Sequence, residues 1–120
     1  MPLRVPPVVG AGLNLEALQA GLQRLAADPD VKALVAFGSR ARGDARLDSD
    51  LDLAVISVLP QIEPNRKLDA WSRYQQQLDG VGVGVDLIVN GWEDAARLAQ
   101  SRWHVMGDVA REGQVLYVAG

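Results

Sequence analysis

The sequence predicts a single-domain α/β (α+β) fold, a small mixed sheet flanked by helices. Three observations predict it. Helix-period and strand-like segments alternate along 120 residues, a length that suits one hydrophobic core. Hydrophobic (48%) and charged (22%) fractions are those of an ordinary globular domain, which argues against disorder and coiled coils. No apolar run approaches the roughly 20 residues that would span a bilayer, and no targeting segment is apparent.

The elements follow in order. Met1 to Gly12 (MPLRVPPVVGAG) is broken by Pro2, Pro6 and Pro7 and reads as an extended or frayed arm, residues 1–12, ahead of a domain at 13–120. Asn14 is a good N-cap, and Leu15, Leu18, Leu22 and Leu25 form one stripe of a helix that Asp28-Pro29 ends. Val31 to Phe37 (VKALVAF) is a short apolar run stopped by Gly38, as in a buried strand. After the small, charged stretch Gly38 to Asp50, Leu51 to Ile56 (LDLAVI) is the second strand. A loop at Pro60 to Pro64 leads into a polar helix near 66–78, with Leu68, Trp71, Tyr74 or Gln75, and Leu78 on its apolar face. Asp79-Gly80 marks a turn before a third strand, Val81 to Val89. Its glycines do not lie between a strand and a helix, so Gly82 and Gly84 mark close packing of another element rather than a phosphate loop. Trp92 to Arg111 reads as helical with a break near Gly107, and Gln114 to Val118 as a last, edge strand.

The chain has 12 Lys+Arg against 15 Asp+Glu, a net charge of -3, so it offers nucleic acid no global attraction and no direct nucleic-acid partner is expected. It has no cysteine. That removes disulfide scaffolds, zinc knuckles and thiol nucleophiles, and points to an intracellular, cytoplasmic protein. Any metal must be held by oxygen ligands or by the single His104.

Three acids stand where strands normally carry apolar side chains. Asp50 and Asp52 are two residues apart, so the pleat points both carboxylates to one face, an arrangement suited to a hard cation such as Mg²⁺. Asp86, between Val85 and Leu87, reaches that face if the third strand lies beside the second. Upstream, Gly38-Ser39 closes the first strand and opens a turn with Arg40 and Arg42, offering backbone N–H groups, a hydroxyl and guanidinium donors to a phosphate. A phosphate cradle beside a carboxylate metal site is what phosphoryl or nucleotidyl transfer requires.

Gly38-Ser39, ten intervening residues and then Asp50-x-Asp52 within S-D-L-D-L resemble the signature of the DNA polymerase beta-like nucleotidyltransferase superfamily, in its minimal nucleotidyltransferase (MNT) branch. The resemblance is tight from Ala33 to Ile56, includes Asp86 as the third acid, and extends loosely to R-E-G-Q-V-L-Y near the C-terminus. Leu47 stands where relatives often have proline. The resemblance implies transfer of AMP from ATP to a hydroxyl. In it, Asp50 and Asp52 hold Mg²⁺, Asp86 activates the nucleophile or completes a second metal site, and Gly38 and Ser39, with Arg40, Arg42 and Ser49 nearby, bind nucleotide. Small members of the branch are antitoxins that neutralise a HEPN-domain ribonuclease toxin, in characterised cases by adenylylating a tyrosine. That implies a HEPN-type toxin partner, with self-association open and no membrane partner.

Several residues carry a plainer reading as well. Arg40 and Arg42 could be surface residues and Ser49 a turn cap; Asp44, Arg46 and Asp48 read as a solvated loop. His104 is read as facing the surface or a partner, and Trp71, Trp92 and Trp103 as core or interface anchors. Two alternative functions also stand: a non-catalytic antitoxin acting by occlusion, and a small-molecule, aminoglycoside-type nucleotidyltransferase.

Overall fold

The computed structural model describes all residues, Met1–Gly120. A short helix α1 (Pro7–Gly10) precedes α2 (Leu15–Ala27), β1 (Val31–Phe37), α3 (Gly38–Arg42) and β2 (Leu51–Ser57). They are followed by α4 (Pro64–Gln77), β3 (Val85–Gly91), α5 (Trp92–Leu98), α6 (Val105–Glu112) and β4 (Gln114–Val118). The strands form one mixed sheet in the order β3-β2-β1-β4. β1 pairs antiparallel with β2 and β4, whereas β2 and β3 run parallel because α4 carries the chain back across the sheet.

The pleat sorts the side chains between two layers. Leu34 and Ala36 of β1, Leu51, Leu53 and Val55 of β2, and Leu87 and Val89 of β3 meet Leu18, Leu22 and Leu25 of α2 and Tyr74 and Leu78 at the end of α4. The opposite face presents Phe37, Ala54 and Ile88 to Ala95 of α5 and to Met106 and Val109 of α6. Asn14 caps α2 by accepting from the Ala17 N–H at 3.2 Å. Leu15 falls outside the stripe and is exposed.

Four expectations change. The third strand begins at Val85 rather than Val81, because Gly82 sits at φ +102° and turns the chain there. The long C-terminal helix breaks at 99–104, ahead of Gly107, which lies within α6 against the Ser101 carbonyl where a Cβ would not fit. In the α4 stripe Tyr74 and Leu78 are buried, but Leu68 is 64% exposed and Trp71 39%. The N-terminal segment is extended only up to Pro6. Pro7–Gly10 is a helical turn whose Val9 is fully buried, Pro7 supplying a favourable first-turn residue. The extended part lies along the outer edge of β4, where the Met1 amino group donates to the Val118 carbonyl (3.0 Å) and the Arg4 N–H to that of Leu116 (2.8 Å).

Candidate active site

The parallel register pairs Leu51 with Val85, Asp52 with Asp86 and Leu53 with Leu87. Asp52 and Asp86 therefore stand side by side on the face that carries Ala54 and Ile88. One residue before β2, Asp50 extends the same row: its carboxylate lies over Gly84, where a Cβ would sit 2.9 Å from Oδ1. This is the close packing expected at Gly84. At Gly82 the nearest atom is 3.9 Å from such a Cβ, and backbone conformation explains the glycine instead.

Asp52 is half-buried and its pKa is raised. Burial is the largest cause, followed by the charges of Asp86 and Asp50 and the hydrogen bond to Asp86, while nearby Arg42 acts in the opposite direction. The three carboxylates are not closed into a ready three-ligand metal cluster. The set is all oxygen and its like charges oppose one another, which is the donor chemistry a divalent cation would relieve.

Gly38 begins α3 directly beside this row. It adopts φ +71°, and a Cβ there would collide with the Asp52 carboxylate. Phe37 pairs with Asp52 across β1 and β2, so the turn at Gly38-Ser39 flanks the acids on the side opposite Asp86. Arg42 is exposed and held by Asp44 (3.1 Å) and Glu112 (3.0 Å), and its hydrogen bonds to these two acids raise its pKa. Its charge is felt at Asp52, so it borders the site.

Two predicted nucleotide contacts have other work. Arg40 is 1% exposed. Its guanidinium donates to the carbonyls of Val9 (3.1 Å), Ala11 (2.7 Å), Leu47 (2.8 Å) and Ser49 (2.9 Å), so it has no face left for a phosphate. At about 100° per residue, positions two apart on α3 point to nearly opposite sides, and this separates Arg40 from Arg42. The Ser49 hydroxyl accepts from the Arg46 N–H at 2.9 Å and fastens the loop before Asp50. His104 caps α6, its Nδ1 accepting from the Met106 N–H at 3.0 Å. Sequence reasoning missed Arg40 as the link between the N-terminal turn and the loop to Asp50; a buried arginine has no signature of its own in a run such as GSRARG.

The sequence matches the family described as Polymerase beta, Nucleotidyltransferase over residues 22–119, which takes in every strand, the Gly38-Ser39 turn and all three acids. The chain belongs to this nucleotidyltransferase family. No curated protein gives a significant sequence match. Among solved structures, a candidate nucleotidyltransferase from Sulfolobus solfataricus aligns at TM-score 0.59 and 20% identity, over 87% of this chain and 79% of that one. A toxin-antitoxin with AMP-PNP aligns at TM-score 0.53 and 20% identity, over 89% and 75%. A mutant of the toxin-antitoxin MntA-HpeT aligns at 0.52 and 20%, over 89% and 74%. At such identities these neighbours establish that the chain has the nucleotidyltransferase fold.

Proposed function

We propose that this nucleotidyltransferase transfers AMP from ATP to a hydroxyl, a tyrosine side chain, of a cognate HEPN-type ribonuclease toxin in the cytoplasm, and so acts as its antitoxin. The observation that carries the reading is the Asp52–Asp86 register pair, continued by Asp50 and bordered by Gly38-Ser39. Likeness to toxin-antitoxin structures, one of them with AMP-PNP, supports the choice of partner and nucleotide.

Asp50 and Asp52, with Asp86, are the residues that would hold Mg²⁺; such an ion supplies charge stabilisation at the phosphate oxygens. The Ser39 hydroxyl and the Gly38 backbone orient the triphosphate. Arg42, on the rim, adds positive charge. Asp86, at the far end of the row, orients the acceptor hydroxyl and takes up its proton.

The test is labelling of the partner. Incubation with α-labelled ATP, Mg²⁺ and the helical protein encoded by the adjacent reading frame should label that protein, and Asp50→Asn with Asp52→Asn should abolish labelling and neutralisation together. Neutralisation that survives in the unlabelled mutant establishes occlusion instead; labelling of an aminoglycoside with no protein acceptor establishes the small-molecule reading.

A further inference from the structure

Beyond Asp86 the same face of β3 runs on through Ile88 and Asn90 into an open groove of about 520 Å³ between α4 and the start of α6. Leu68 and Trp71 line it on the α4 side, His104 and Val105 on the other. It is not part of the core: Leu68 remains 64% exposed, and Trp103, next to His104 in the chain, 89%. Large apolar side chains left this open on one side of a small domain mark a binding surface.

Position and charge identify the occupant. In the sheet order the Gly38-Ser39 turn ends β1, the acids sit on β2 and β3, and the groove lies at the β3 edge. In-line displacement puts leaving group and nucleophile on opposite sides of the reacting phosphorus, so a triphosphate held from the β1 side leaves the β3 side to the acceptor. Six of the ten lining residues are hydrophobic, Lys67 and His104 are the titratable ones, and neither Asp nor Glu is among them. The Lys67 ammonium donates to Asn90 Oδ1 at 2.7 Å, which leaves two of its three donors for a ligand. The lining itself gives a polycationic aminoglycoside no counter-charge.

Resting on the adenylyl-transfer reading, we infer that the groove seats the acceptor as a polypeptide segment with apolar side chains and acidic flanks, and delivers its hydroxyl to Asp86. The hydroxyl oxygen bonds to the α-phosphorus, the bond from that phosphorus to the bridging oxygen of the β-phosphate breaks, and pyrophosphate leaves. The hydroxyl proton passes to Asp86 and then to solvent.

The probes are two tyrosine peptides of equal length and hydrophobicity, one flanked by glutamates and one by lysines. Their binding is followed by calorimetry and their labelling by α-labelled ATP with Mg²⁺. The glutamate peptide should bind about tenfold more tightly, and Leu68→Glu or Lys67→Glu should weaken that binding and raise its KM about tenfold with AMP-PNP affinity unchanged. Equal or tighter binding of the lysine peptide overturns the inference, as does loss of AMP-PNP affinity in Leu68→Glu, which would assign the groove to nucleotide. Selective peptide binding without label transfer upholds the groove and removes adenylyl transfer. Label transfer indifferent to both substitutions does the reverse.

Discussion

Asp52 and Asp86 are register partners across the parallel β2–β3 pair, so two carboxyl groups share one face of the sheet with no cation of the protein between them. Burial and the neighbouring acids keep the Asp52 carboxyl above its ordinary range. Function, rather than folding, explains an arrangement that costs the metal-free protein stability.

Asp52→Asn should therefore stabilise the metal-free protein while abolishing transfer. The gain at pH 7 should be about 0.5 kcal/mol, the scale of a partly solvated charge pair, read as a rise of a few degrees in Tm. Because the folded-state pKa of Asp52 is raised, ionising this carboxyl opposes folding. The difference should be full above that folded pKa, shrink as pH falls through it, and vanish below the unfolded value near 3.8. A pH-independent Tm difference would contradict this assignment.

Gly38→Ala should lose both stability and activity. It forces a non-glycine residue to φ +71° and drives a Cβ into the Asp52 carboxylate. Backbone strain alone is worth about 1–2 kcal/mol. Denaturant titration should show that loss, and Mg²⁺ titration should show weaker binding than in the wild type.

Arg40 and Arg42 should part company. Arg40→Met frees four carbonyl acceptors of a buried guanidinium and should cost about 3 kcal/mol or more, with Arg40→Lys failing to restore the fork. Arg42→Ala, on the exposed rim, should leave Tm nearly unchanged and raise the KM for ATP. Thermal unfolding and steady-state kinetics on the two variants check this.

The free edge of β3 is guarded by side chains of α4. Trp71 Nε1–H donates to the Leu87 carbonyl and the Gln75 amide to that of Val85, both at 2.9 Å. Trp71→Phe with Gln75→Leu should cost about 1 kcal/mol or a little more, since each half-exposed carbonyl can recover part of its bonding from water. An unchanged denaturation midpoint would show that these contacts do not secure the edge.

The strands and helices were legible wherever one local rule applied. The apolar run 31–37 and the capped stripe 15–27 have the predicted bounds, because burial on one face and a capping side chain act over a few residues. Local rules failed at 81–84 and 99–104. At 81–84 a glycine-directed turn overrides a β-like pattern, and at 99–104 packing of Gly107 against Ser101 sets where the helix divides.

Sequence alone determined the fold class, the pairing of Asp50 with Asp52 on one face, and the family, since each depends on spacing along the chain. Tertiary structure decided that Asp86 stands beside Asp52, because parallel pairing and its register join residues 34 positions apart. It also decided which arginine borders the site. Both lie in one five-residue helix, and only the packing of that helix against the N-terminal turn buries Arg40 and leaves Arg42 in water.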